Sequence, residues 1–445
     1  MIFRQKAMLL SWLLTVISCS SLSEALLLCP LFPYFDSHEH AVCPIGASVP
    51  SWASNSLDSG WLKGDACHKL GSDQFCTFTH PGFNRGLGVS FVTRDAILKD
   101  VSSMLASEVV NAENGSVAAV PSYEAKQIPG KGVGLIANRN ITQGELIMAR
   151  TPAVVVDGTA FNNLSTIHLT QALAQAIKSL PQGHQKEYLR LSTHDDVATF
   201  EERVYKIFAT NNFRTKFTNG NDFHSTFTEV SRLNHDCRPN SGYHFDASTL
   251  SQNVYAARDI RTGEELSIAY YDPLQARAAR RHQLQSHWGF QCTCKHCTAD
   301  PELVAKSDQR IEQIHALWRD LDDYSPASAG SAEKAELLVQ LYQLEGVETR
   351  IHEAHYRAAI EWNGVGNSVL ALEAAQRCLD RGELMRGPDA PFARNMRELI
   401  QNPQKHWSWN FRLPNKQEKQ IQELLELGNV LLVLNLDAIC AMFLV

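Results

Sequence analysis

The sequence predicts an α+β protein: a mainly β central domain split by a helical insert, a zinc-bound segment that closes it, and an α-helical carboxy-terminal domain. Three observations carry this expectation. Cys237 lies in Asn234-His235-Asp236-Cys237-Arg238-Pro239-Asn240, and three more cysteines crowd into Cys292-Thr293-Cys294-Lys295-His296-Cys297. Such a set suits a closed tetrahedral Zn²⁺ site of four thiolates. Short apolar runs punctuated by turns lie on both sides of a stretch with helical periodicity. From Pro301 onward the apolar residues recur at helical intervals.

A chain of 445 residues has room for about three domains. Its hydrophobic fraction of 44% and charged fraction of 20% fit a soluble globular protein. The net charge of −7 gives no support to direct nucleic-acid binding, which calls for a basic balance or stripe. It fits a cleft that attracts cationic side chains.

Arg4 and Lys6 precede an apolar run, Ala7 to Ile17, followed by Ser23-Glu24-Ala25. Residues 1–25 therefore read as a secretory signal peptide, with a buried or membrane-touching helix as the other reading. Residues 26–115 form a cysteine- and aromatic-rich region ending in a polar linker, Asn111 to Gly115. After a signal peptide, Cys29, Cys43, Cys67 and Cys76 read as two disulfides with three possible pairings. In a cytosolic protein they read as buried thiols. Asn114-Gly115-Ser116, Asn140-Ile141-Thr142 and Asn163-Leu164-Ser165 are glycosylation sequons, usable only in the secretory pathway.

The central domain is expected over residues 121–298. Val133 to Ile136, Glu145 to Ala149 and Ala153 to Val156 read as short strands, separated by the turns Ile128-Pro129-Gly130 and Thr142-Gln143-Gly144. Residues 160–218 read as the helical insert: Leu164, Ile167, Leu169, Leu173, Ile177 and Leu180 form one stripe, with Val204, Ile207 and Phe208 further on. Strands resume at Tyr243 to Phe245, Asn253 to Ala257 and Glu265 to Tyr271. The post-insert cysteine segment spans residues 288–298.

A helical domain is expected over residues 301–400. Ile311, Ile314, Leu317 and Leu321 form one face and Leu337, Leu338, Leu341 and Leu344 the next, with further helices over 349–362 and 366–381. Both a tetratricopeptide-like array and an ordinary helical bundle fit this pattern. His352-Glu353-Ala354-His355 misses the His-Glu-x-x-His metal spacing by one residue and reads as surface. Cys378 and Cys440 read as isolated core residues. In the tail, residues 401–445, the apolar run Leu431 to Val445 is short for a membrane span, so no stable span is expected.

Two more segments complete the set that carries chemistry. Lys131-Gly132-Val133-Gly134 sits at a turn into a strand, and Gly263-Glu264-Glu265-Leu266-Ser267-Ile268-Ala269-Tyr270-Tyr271 is a turn followed by a strand. In this order, with the cysteine trio about twenty residues after Tyr270, the motifs resemble those of the SET-domain protein lysine methyltransferases, in the branch with a split domain. The resemblance covers roughly Tyr123 to Thr298, with a helical tail similar to that of SMYD-type members. Asp236 replaces the family's usual Ser, and the insert lacks the MYND zinc finger, so that finger's partner-binding role does not carry over.

The resemblance implies a SET fold with a zinc-bound post-SET segment, and an S-adenosylmethionine-dependent enzyme acting on a protein that presents a lysine, histone or non-histone. Lys131, Gly132, Val133 and Gly134 would line the cofactor. Asn234 and His235 would hydrogen-bond it, Phe290 would lie against its adenine, and Tyr270 matches the catalytic tyrosine and also touches the cofactor. Cys237, Cys292, Cys294 and Cys297 would hold zinc. Tyr271, next on the strand, would face the opposite way and be structural. The family's usual setting is the nucleus or cytoplasm, whereas the signal pattern points to secretion. A non-catalytic SET-like zinc module used for protein interaction is the alternative.

Overall fold

The computed structural model describes residues 60–108, 121–193, 196–217, 220–325 and 328–413, which belong to one compact unit. The signal pattern, Cys29, Cys43, the Asn111–Gly115 linker with its sequon, and the apolar run Leu431 to Val445 lie outside the described residues. Among the described residues no helix is long and apolar enough to cross a membrane.

The chain first builds β1 (Leu62–Leu70), β2 (Asp73–His80), a helical turn α1 (Phe83–Gly86), β3 (Val89–Thr93) and α2 (Asp95–Glu108). β1 and β2 form a hairpin in which Cys67 opposes Cys76, and those two cysteines form a disulfide. Two of the three possible pairings are thereby excluded in favour of a cross-strand link. β3 then runs parallel to β7 (Val154–Asp157), so residues 60–93 extend a sheet of order β1-β2-β3-β7-β9-β8. Residues 60–93 of the cysteine-rich region are thus built into the central β structure, through Phe75, Phe78, Phe91 and Val92, all fully buried.

β4 (Tyr123–Ile128), β5 (Gly132–Ala137), β6 (Leu146–Arg150) and β7 precede the insert. The insert holds α3 (Gly158–Asn163), α4 (Thr166–Lys178), α5 (Gln182–Leu189) and α6 (Phe200–Asn211). Ser165 and Thr199 accept hydrogen bonds from the backbone N–H groups of His168 and Glu202, which caps α4 and α6. Leu169, Leu173 and Ile177 of the expected stripe are buried, as are Val204, Ile207 and Phe208. Ile167 is 69% exposed instead, because the buried face of α4 starts at Leu169. Strands also resume earlier than expected. β8 (Asn212–Lys216) and β9 (Asp222–Thr226) directly follow α6, and β9 pairs with β7 across the insert.

β10 (Asn234–His235), β11 (Ser241–Asp246), β12 (Ser251–Ala256) and β13 (Glu265–Ile268) complete the β structure. One four-stranded sheet has the order β10-β13-β5-β4 and a three-stranded one has β11-β12-β6. β13 ends at Ile268, so Tyr270 and Tyr271 lie beyond the strand, and the alternation that set Tyr271 on an opposite face does not apply.

α7 (Arg277–Trp288) stops at Gly289, whose positive φ of 71° suits a left-handed helix end. Then come α8 (Pro301–Leu321), α9 (Ala332–Glu345), α10 (Ile351–Gly364), α11 (Ser368–Arg386) and α12 (Pro391–Gln401), each packed on the next. Leu338 and Leu341 are buried on α9, but Leu337 and Leu344 are exposed, so the buried stripe is narrower than the leucine spacing implied. His352 and His355 are 3% and 7% exposed, a correction to their reading as surface. α10 is the central helix of the array, covered by both α9 and α11, so even its polar side chains are enclosed. Cys378 is fully buried, as expected.

Candidate functional site

A single sheet assembles the three motifs. β10 runs parallel to β13, with Asn234 opposite Ser267 and His235 opposite Ile268. β13 runs antiparallel to β5, with Leu266 opposite Leu135. The Gly132-x-Gly134 turn, the Asn234–His235 pair and the Glu265–Ile268 strand are therefore neighbours, although about 130 residues separate the first from the last.

Glu265 ties the first two motifs together. Lys131 Nζ donates to its Oε2 at 2.7 Å and Asn234 Nδ2 to its Oε1 at 2.9 Å. Gly134 is required by this contact: a Cβ there would lie 2.7 Å from Asn234 Nδ2 and would also strike Ile128. Gly132 has φ of +73°, a conformation that favours glycine. Val133 lies between them on β5. The sequence marked these segments, but the bridging role of Glu265 emerges only from the fold.

His235 is buried and both of its ring nitrogens are engaged within the protein. Nδ1 accepts from the Tyr270 backbone N–H at 3.2 Å, so the ring proton resides on Nε2, which lies 3.4 Å from Cys237 Sγ. Its ring stacks on Tyr271 at 5.3 Å. The imidazole thus couples the tyrosine pair to the sulfur cluster.

Tyr270 donates its hydroxyl hydrogen to the Leu233 carbonyl at 3.0 Å. Burial, reinforced by the Glu265 carboxylate, pushes its pKa above the ordinary tyrosine value. The group remains a phenol at physiological pH. Trp288 and Phe290 stand against its ring, with centroids at 5.2 and 6.4 Å. Phe290 was marked in the sequence; Trp288 was not, although it closes the same helix that Gly289 terminates.

Tyr270 also forms part of the partition between two cavities. One, of about 270 Å³, is lined by Asn211, Ser231, Leu233 and Trp288 among others. The other, of about 390 Å³, opens toward α10 and α11. Tyr243, Ile268, Ala269 and Tyr270 line both.

The four cysteines converge as expected. All four Sγ atoms lie within 4.8 Å of one another and all four residues are buried. Cys237 Sγ is 3.5 Å from Cys297 Sγ and 3.9 Å from Cys292 Sγ. A tetrahedron with Zn–S bonds of about 2.3 Å has edges of about 3.8 Å, so the set fits zinc. Hydrogen bonding from the Cys292 thiol, chiefly, lowers the Cys237 pKa, and the same contact raises that of Cys292. Tyr271 directs its hydroxyl at this sulfur, 3.5 Å away. Arg280, 1% exposed, carries its charge close to Cys237 and Cys297. A Zn²⁺ held by four thiolates has a net charge of −2, which a buried guanidinium partly offsets. No spacing in the sequence linked Arg280 to the cluster.

Asp236 Oδ1 accepts from the Arg238 backbone N–H at 2.8 Å, turning the loop just after the zinc-ligand position. Arg238 then leaves the sheet domain. Its Nη2 reaches Glu345 Oε2 at 2.5 Å and its Nε the Glu345 carbonyl at 2.6 Å, on α9. Ser307 and Arg310 of α8 bind the same carboxylate. Burial alone would raise the Glu345 pKa, but the hydrogen bonds from Arg238 and Ser307 prevail and hold it below the usual carboxylate range.

The SET domain family matches residues 132–271. The chain is 25% identical over 303 residues to histone-lysine N-methyltransferase set5 of Schizosaccharomyces pombe, covering 64% of this chain and 85% of that protein. It is 43% identical over 75 residues to histone-lysine N-methyltransferase SET5 of Meyerozyma guilliermondii, covering 16% of this chain and 15% of that one. To histone-lysine N-methyltransferase SMYD3 of Homo sapiens it is 32% identical over 134 residues, covering 27% of this chain and 31% of that one. The match therefore spans most of the first relative and less than a third of the other two. Residues 132–271 thus match the SET domain, and the relatives that share it are named histone-lysine N-methyltransferases.

Proposed function

We propose that the protein is an S-adenosylmethionine-dependent protein-lysine N-methyltransferase. The observation that carries this reading is the position of Tyr270, on the wall shared by two cavities and beside the sheet that gathers all three motifs. A lysine entering from one of these cavities would meet, at Tyr270, a donor held beside the glycine turn and Asn234, which themselves line neither cavity. The relatives' names, all histone-lysine N-methyltransferases, support the same class.

S-adenosylmethionine, when bound, supplies a methyl group made electrophilic by its sulfonium. Lys131, Gly132, Val133 and Gly134, with Asn234 and the backbone of His235, would hold it, and Phe290 would cover its adenine. Glu265 keeps Lys131 and Asn234 at a set separation. Tyr270 acts as an orienting group. Its proton is committed to Leu233, so its oxygen lone pairs remain for weak contacts with the transferring group. It cannot serve as a base while it stays protonated.

The amine must be neutral to attack, whereas a free lysine has a pKa of about 10.4. Burial of the amine against Tyr243, Ile268 and Tyr270, which line both cavities, would disfavour the ammonium form by desolvation. Alignment to about 3–3.5 Å then does most of the catalytic work, and water removes the proton. Cys237, Cys292, Cys294 and Cys297 would hold a structural Zn²⁺, since four thiolates leave no position open for substrate.

Purified protein with isotopically labelled cofactor and a mixed protein extract tests the reading. The wild type is expected to label lysines, and Tyr270→Phe to lose roughly 10²-fold in rate while still binding cofactor by calorimetry. A wild type that binds no cofactor would leave the non-catalytic zinc module in its place.

A further inference from the structure

We propose that the cleft between the SET sheets and the carboxy-terminal helices selects substrates with a carboxylate a few residues from the target lysine, and that Arg386 receives it. This inference rests on the methyltransferase reading and deepens it by naming a substrate class.

The cleft exists because α11 lies directly on β11. Gly242 makes that possible, since a Cβ there would collide with Met385 Sδ. His244 Nδ1 donates to the Leu384 carbonyl at 3.1 Å and Arg381 Nη2 to the Ala257 carbonyl at 2.6 Å, which seats the helix. The sheet domain lines it with Tyr270, Tyr271 and Asp272, and the helical array with Arg350, His352 and Arg386.

The charges along this cleft are unevenly paired. Arg350 is gripped by Glu353, with both contacts at 2.8 Å, and by Asp272. That trio carries a net charge of −1 and begins two residues after Tyr270, where an approaching ammonium is favoured. Arg386, by contrast, is exposed and makes no hydrogen bond or ion pair with any described residue. Its charge is close enough to act on both Tyr243 and His352. His352 lines the same cleft, is 3% exposed, and has a buried Nδ1 without a partner among the described residues.

A lone guanidinium and a negative trio at the tyrosine end form a dipolar lining. An extended peptide with a lysine and a nearby Asp or Glu complements it. The guanidinium fork donates to a carboxylate in a bidentate manner. A simpler role for Arg386, as a cation at the end of α11 complementing the helix dipole, makes no demand on substrate sequence.

The test uses the full chain, labelled S-adenosylmethionine and short neutral peptides with one lysine. Each flanking position is occupied in turn by Glu or by its isostere Gln, and the ratio of initial rates is read. The wild type is expected to favour Glu by roughly tenfold at one or two positions. Arg386→Ala should bring that ratio close to one, and Arg386→Glu should invert it in favour of Gln. Because each ratio is taken within one variant, partial loss of folding cancels. An unchanged ratio in Arg386→Glu overturns the inference while the methyltransferase reading stands. So does a wild type without acidic preference, or one that labels a protein extract and none of these peptides. A wild type that labels neither overturns the reading itself.

Discussion

Cys237 and Arg238 are adjacent in sequence and fasten the same loop to two different regions. Cys237 reaches the trio Cys292, Cys294 and Cys297 and so closes the sheet domain. Arg238 reaches Glu345 and so joins that domain to the helical array. The first clamp uses sulfur atoms spaced for a metal ion. The second uses an ion pair with side-chain exposures of 4% and 0%, held in a lattice of hydrogen bonds. Their difference is instructive: a metal organises whatever ligands approach it, whereas a buried ion pair is favourable only when every remaining donor and acceptor is already placed.

The largest effect should come from breaking the sulfur clamp. Cys237→Ser is expected to lose stoichiometric zinc by elemental analysis and to expose the chain after Trp288 to proteolysis, since structural zinc sites contribute on the order of 10 kcal/mol in isolated modules. A wild type without zinc would refute this half of the comparison. Next in size is the ion pair. Glu345→Gln leaves Arg238 and Arg310 without their carboxylate, at a cost of about 3–5 kcal/mol in urea unfolding, with zinc retained. Loss of zinc in that variant would show the two clamps to be one unit.

The smallest effect per residue is expected from acid and falls on the helical side. Burial, first of all, lowers His352 and His355 to about 4, so both are neutral in the folded protein. Unfolded histidine titrates near 6.5. Between those values the unfolded chain binds more protons than the folded one, so stability is full above pH 6.5 and falls as pH drops toward 4. Each histidine accounts for roughly 2–3 kcal/mol of that loss across the window. The urea midpoint should therefore decline from pH 7 to pH 5, and His355→Gln should flatten the decline. An equal midpoint at both pH values would contradict it.

Much of the sulfur side was legible in the sequence, because metal ligands impose chemistry and spacing that survive without a fold. The order of the glycine turn, the Asn234–Asn240 loop and the Tyr270 segment was legible for the same reason. Arg238 stood within a quoted motif, yet nothing local pointed to Glu345, 107 residues away. Arg280 and Trp288 were silent because they sit on a polar helix whose one buried edge is set by the cluster beside it. His352 and His355 were misread because helical periodicity reports one apolar face, and α10 is covered on more than one. Cys67 was an expected disulfide cysteine, but only the β1–β2 register selected Cys76 as its partner.

The sequence by itself determined the SET-domain resemblance, the four cysteines that converge and the split of the β domain by helices, since each depends on residue type and short-range spacing. The tertiary structure alone decided that Glu265 links Lys131 to Asn234, that Arg238 anchors on Glu345, and that Arg386 lines the same cleft as Tyr270 without a partner among the described residues. Those are contacts between distant segments, and their energies depend on geometry and burial that no local pattern encodes.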